Sequence, residues 1–177
     1  MAYATGKYLD VYQSWQQHLF NFNLAVRETN TPGLRKPQLA ALYASLGHLV
    51  MSPATTATIV MPTGTGKTDT MLGLLIAGRL ARTLVLVPSD ALRSQLVEKC
   101  LGLKKLREIA AVSATALNPV VRAIGSGMSA EDVQQLAEAN VIVATPQALQ
   151  RFDTESLQAL AELCSHLIID ETHHVAA

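Results

Sequence analysis

The chain has 177 residues, 49% of them hydrophobic and 16% charged, with a formal net charge of zero. That length suits one domain with a real core, and the apolar share excludes global disorder. A neutral chain carries no overall basic field, so any nucleic-acid partner has to be argued from local features.

Residues 1–30 differ from the rest: seven of the eight aromatic residues lie at or before Tyr43. Tyr8, Tyr12 and Trp15 follow helical i, i+4, i+7 spacing, which predicts an N-terminal helix with an aromatic packing or docking face. Asp10, Gln13, Gln16 and Gln17 interrupt any signal-peptide core. "NTPG" at 30–33 punctuates the chain. The next segment places Leu39, Leu42, Leu46 and Leu49 on one helical face, with Pro37 suited to its first turn.

From residue 57 short apolar runs alternate with segments of helical period. The runs at 57–61, 83–87, 109–112, 141–144 and 167–169 read as strands that are apolar on both faces. Ser89, Ser129 and Thr154 are start signals for intervening helices. Cys100 and Cys164 fall on apolar helix faces, as reduced thiols of a cytoplasmic protein would. The apolar stretch from Met71 to Gly78, bounded by Arg79, is too short to span a membrane, so no membrane partner is expected. Residues 118–129 read as a loop. The alternation predicts an α/β fold: a parallel sheet sandwiched by helices.

Directly after the first run comes "PTGTGKTDT", from Pro62 and Thr63 through Gly64, Thr65, Gly66, Lys67 and Thr68. Glycines let the backbone curl so that several N–H groups face one anion, and the following helix adds its positive N-terminal end. Lysine can reach outer phosphates, and the threonine hydroxyl can ligate Mg²⁺. The strict phosphate-loop pattern has a glycine where Met61 stands, so the match fails by one residue. The strand–turn–helix setting still points to a nucleoside triphosphate. A tight turn without a ligand is the alternative.

The last apolar run ends in Asp170 and Glu171. Carboxylates at a strand tip sit on the ligand-binding edge of an open α/β sheet, although a solvated strand end would look the same. Beside a phosphate loop the pair gains separate tasks: Asp170 holds Mg²⁺ opposite Thr68, and Glu171 orients the attacking water. His173 and His174 lack the spacing of helical zinc ligands.

"MPTGTGKT" followed a hundred residues later by "IIDETHHVAA" resembles the first motor domain of a superfamily 2 DExH-type helicase or translocase, nearest the restriction-type branch. That family tolerates a residue other than glycine at Met61. "GLRKPQLAAL" is similar to the family's adenine-recognising element, which implies that role for Gln38 with Arg35 beside it. "LVLVPSDALRSQ" and "VIVATPQAL" resemble its two motifs that contact a nucleic-acid backbone. They imply contacts from Pro88, Ser89 and Gln95, and from Thr145, Pro146 and Gln147. Where the DEAD-box form has an arginine this chain has Asp90, so the phosphate contact is expected to move to Arg93. The family role of His173 is to couple the two sites.

The resemblance therefore implies an incomplete RecA-like domain at 31–177 behind a helical extension at 1–30. It implies an ATP hydrolase using ATP and Mg²⁺, with DNA favoured over RNA, in restriction, repair or phage defence. Catalytic residues would be Lys67, Asp170, Glu171 and His173. Ser113-Ala-Thr115 precedes the acidic box and is not the family's later Ser-Ala-Thr motif. No arginine finger is visible, so full activity is expected to need a second RecA-like domain in the same or another chain. The isolated chain is expected to be marginally stable, because the sheet's central strands would lack a shared neighbour.

Overall fold

The computed structural model describes residues 7–17, 20–125 and 135–170. The chain divides into two compact units: 1–13, 80–102 and 117–177 form one, and 14–79 with 103–116 form the other. Helix α1 (Lys7–Gln17) runs through the boundary between Gln13 and Ser14. Its Tyr8, Val11 and Trp15 are buried, so the aromatic face is a packing face.

The first unit is built on a four-stranded parallel sheet of order β2-β3-β1-β4. Its strands are β1 (Thr83–Leu86), β2 (Val121–Ala123), β3 (Val141–Ala144) and β4 (His166–Ile169). Thr83 sits opposite Val141 on one side and His166 on the other, so β1 carries ladders on both edges. Side chains alternate across the sheet. Leu84, Ile142 and Ala144 face one side and pack with Ile124, Leu136, Ala148 and Leu160. Val85, Val141 and Val143, the intervening residues, are equally buried. Helix α4 (Asp90–Gly102) lies against β2 and β3. It starts where the Ser89 hydroxyl accepts the Leu92 N–H at 3.3 Å. Helix α6 (Pro146–Leu149) follows β3 directly. Helix α7 (Thr154–Leu163) is capped one residue earlier than its sequence signal suggests, by Asp153 accepting from the Ser156 N–H at 2.8 Å.

The second unit holds α2 (Lys36–Met51), α3 (Lys67–Ala77) and α5 (Lys104–Glu108). Pro37 lies in the first turn of α2, as its fixed φ allows. Leu42, Leu72, Leu75 and Ile76 are buried here. Gly73 lets α3 approach closely, since a Cβ there would stand 3.1 Å from the Phe20 ring.

Three strand expectations change. Residues 57–61 form no strand: they pair with none of the described strands, and Ile59 and Val60 are 42% and 88% exposed. Strand-forming composition acts only where a neighbour supplies the ladder. Residues 109–112 form turns, because the N–H groups of Ala110, Ala111 and Val112 bond back to the carbonyls of Arg107 and Leu106. Conversely β2 lies inside the segment read as a loop, since Val121 pairs with Val141. The helix expected after Ser129 begins outside the described residues, where only a short 3₁₀ turn at 135–138 follows. Ser113 and Thr115 sit in a turn held by the Arg107 guanidinium, which donates to the carbonyls of Ser113, Ala114 and Ala116.

Candidate functional site

The phosphate-loop candidates and the adenine-element candidates lie together in the second unit. The loop curls between Pro62 and α3: the Pro62 carbonyl accepts from the Thr65 N–H at 3.3 Å and from its hydroxyl at 2.6 Å. Gly64 and Gly66 hold φ of +78° and +92°, values that favour glycine. Gly66 is the N-cap of α3, and its carbonyl accepts from the Thr70 N–H at 2.9 Å and the Thr70 hydroxyl at 3.0 Å. Lys67 and Thr68, both half-buried, are the first two helical residues. A cation, a hydroxyl and the N–H groups of a helix start are thus gathered at one turn, a donor set that suits phosphate. Asp69 adds a carboxylate close by: its Oδ2 would lie 3.6 Å from a Cβ on Gly66.

The start of α2 grips this loop. Arg35 is the N-cap, and its N–H donates to Gln38 Oε1 at 2.9 Å, half of a capping box. Gln38 is 3% exposed, and its Nε2 donates to the Gly66 carbonyl at 3.4 Å. The Arg35 Nη1 donates to the Gly64 carbonyl at 2.7 Å. Sequence reasoning placed Gln38 and Arg35 beside a base, but it held no signal that both side chains also bond the phosphate loop.

The remaining candidates belong to the first unit and collect at one edge of its sheet. Because β1, β3 and β4 are parallel and in register at Leu86, Ala144 and Ile169, the residues that follow them emerge at the same edge. Pro88 and Ser89 follow β1, Thr145 and Pro146 follow β3, and Asp170 follows β4 with its N–H donating to the Leu86 carbonyl at 2.9 Å. Thr145 is 4% exposed, and its hydroxyl accepts from the Ala148 N–H at 3.2 Å as the cap of α6. Arg93 is already engaged: Nη1 donates to the Ile124 carbonyl at 3.0 Å and pairs with Asp90 at 2.8 Å. Gln95 is exposed on α4. Glu171 and His173 lie outside the described residues.

Neither cysteine offers a thiolate nucleophile. Burial pushes Cys100 up to about 12 and Cys164 to about 11, the latter against an opposing pull from Arg82. No helix among the described residues is long and apolar enough to cross a membrane.

Residues 31–177 match the family model of the type III restriction enzyme, res subunit. No curated protein matches the sequence. Among solved structures, a hypothetical ATP-dependent RNA helicase from Sulfolobus tokodaii is similar, with 20% identity and a TM-score of 0.55. The likeness covers 91% of this chain and 41% of that one, so the chain spans less than half the length of that helicase. At this identity it carries the fold, a RecA-like α/β sheet. With the family match extending over most of its length, the chain belongs to the type III restriction enzyme res subunit family.

Proposed function

We propose that the chain is the ATP-binding part of a nucleic-acid-dependent ATPase, a helicase or translocase that couples ATP hydrolysis to unwinding or to movement along DNA. The observation that carries this reading is the loop from Pro62 to Thr68, with two left-handed glycines at the start of α3. ATP with Mg²⁺ supplies the transferable phosphoryl group and the charge that holds it. Lys67 and the N–H groups at the start of α3 receive phosphate oxygens, and the Thr68 hydroxyl serves as a metal ligand. Gln38 reads adenine through its amide. Asp170 is the metal-holding acid, Glu171 orients water, and His173 couples nucleotide to nucleic acid. Pro88, Ser89, Gln95, Thr145 and Pro146 present the backbone-contacting edge. Arg93 reaches a nucleic-acid phosphate only by exchanging its bonds to Asp90 and the Ile124 carbonyl.

The restriction-enzyme family favours DNA over RNA as the track, and restriction, repair or phage defence as the setting. A second RecA-like domain completes the catalytic arrangement. The rival reading, a non-catalytic module that binds ATP and docks a partner through Tyr8, Tyr12 and Trp15, is disfavoured by the burial of Tyr8 and Trp15, which are 7% and 1% exposed. A phosphate-loop ATPase indifferent to nucleic acid is separated by measurement. The test is ATP affinity by fluorescence titration, with and without DNA or RNA. Lys67→Ala is expected to weaken ATP binding at least tenfold, and DNA is expected to change the wild-type affinity. ATP binding indifferent to Lys67 would refute the nucleotide reading. ATP binding indifferent to both nucleic acids would leave the plain ATPase.

A further inference from the structure

Resting on that reading, we propose that Arg35 is a positioning residue for the phosphate loop, so that affinity for a base-free triphosphate depends on it. A peptide unit's C=O and N–H point in opposite directions, and a loop that receives an anion must turn its carbonyls away. Two carbonyls of this loop are held by side chains from the first turn of α2: Gly64 by Arg35 and Gly66 by Gln38.

The two holds differ in kind. Gly66 is confined by packing as well, since a Cβ there would meet Gln38 Nε2 at 2.5 Å. Around Gly64 the same Cβ would find nothing within 4 Å, although the residue holds φ of +78°. No packing on that side of Gly64 fixes the loop's tip. The Thr65 bonds to the Pro62 carbonyl close the turn, and the guanidinium bond at 2.7 Å ties it to the start of α2. Arg35 is itself anchored, because its N–H is fixed to Gln38 Oε1. The base-reading side chain and the loop tether therefore share one capped turn, and a change at Gln38 reaches the phosphate loop directly at Gly66 and through Arg35 at Gly64.

The experiment measures dissociation constants for ATP and for inorganic tripolyphosphate at constant Mg²⁺, using the wild-type chain and Arg35→Ala, Arg35→Lys and Lys36→Ala. Arg35→Ala is expected to weaken both ligands by a similar factor, about five- to tenfold, less than a buried hydrogen bond to a charged donor because this one is exposed to solvent. Arg35→Lys, which keeps a donor, recovers part of the loss. Lys36→Ala removes the neighbouring exposed cation and leaves both constants within about twofold, the scale of a screened surface charge. Loss of ATP affinity with tripolyphosphate unchanged would make Arg35 a base contact and overturn the proposal. An equal loss in Lys36→Ala would reduce the effect to general charge and overturn it too. A wild-type chain that binds neither ligand would remove the nucleotide reading itself. Circular dichroism melts of the variants show whether the exposed Arg35 side chain also affects folding, and superimposable melts are expected.

Discussion

Arg82 offers the sharpest test of how the sheet unit is held together. It stands just before β1 and is 5% exposed, an unusual place for a guanidinium. Its Nε donates to the Ala139 carbonyl at 2.9 Å, Nη1 to the Leu163 carbonyl at 2.9 Å, and Nη2 to the Ala137 carbonyl. The guanidinium carbon lies 4.3 Å from the centroid of the Tyr8 ring. One side chain thus satisfies the ends of the 135–139 turn and of α7 while binding α1 to the base of the sheet. Its backbone joins in, donating to the Ser165 hydroxyl at 3.1 Å and accepting from it at 2.7 Å.

Substituting Arg82→Ala removes the three side-chain bonds and the Tyr8 contact at once, leaving the backbone bonds to Ser165. Hydrogen bonds to a charged donor are worth about 1.5–3 kcal/mol each, and orphaned buried carbonyls cost about 1–3 kcal/mol each. The cation–π contact adds roughly 1–2 kcal/mol. Losing the guanidinium's own burial cost offsets much of that, so the net loss is about 3–5 kcal/mol, the upper range for breaking a buried hydrogen-bond network. Domains of this size are stable by about 5–15 kcal/mol, so the variant gives up a large share. Urea denaturation followed by circular dichroism measures it. Arg82→Lys has one nitrogen for three separated carbonyls and falls between wild type and alanine. If Arg82→Ala unfolds within about 1 kcal/mol of wild type, water serves those carbonyls adequately and the clamp argument fails.

Two glycines should respond to alanine with opposite signs. At Gly33 a Cβ would stand 2.5–2.6 Å from the backbone at Asn23, Leu24 and Ala25, so Gly33→Ala destabilises by about 1–3 kcal/mol or more. At Gly47, inside α2 with open space around it, alanine stabilises by about 0.5–1 kcal/mol. Thermal melts of both variants check the contrast. His166 gives a pH dependence: burial lowers its pKa from 6.5, so the folded chain favours the neutral ring and the unfolded chain binds the proton first. Its contribution is complete above 6.5, erodes as pH falls through that value, and stops changing below the lowered folded value. His166→Asn should flatten the stability profile in that window, measured as urea midpoint against pH.

The parts of the site that were legible in the sequence are those whose physics is local. A left-handed φ favours glycine at the residue itself, so Gly64 and Gly66 pointed to the loop before any neighbour was known. The Ser89 cap and the apolar run of β3 are similarly self-contained. What could not be read needs partners distant in sequence. The Arg35 bond to Gly64 spans 29 residues, and the three carbonyls of Arg82 come from 55, 57 and 81 residues away. A guanidinium's charge predicts that it will seek oxygen, but not which oxygen. Arg93 illustrates this: alone in its segment it reads as a phosphate contact, and only the fold shows Asp90 and the Ile124 carbonyl as its partners within the chain.

The same distinction separates two runs of nearly identical character. "ATIVM" at 57–61 and "VIVA" at 141–144 are both short, branched and apolar, and nothing within either predicts a different fate. Val141 through Ala144 are fully buried, with β1 on one side and β2 on the other. Val60 is 88% exposed and its segment pairs with no described strand. A strand's stability lies in its ladders and cross-strand contacts, so composition sets only what a segment gains once a neighbour exists. Position in the sheet modulates even the strands that do form. β4, with β1 as its only described neighbour, leaves Leu167 56% exposed and Ile169 37% exposed. That single ladder is nonetheless what brings Asp170 to the sheet edge shared with Ser89 and Thr145. The acidic residue's address therefore depends on β1, more than eighty residues earlier, as much as on the apolar run that precedes it.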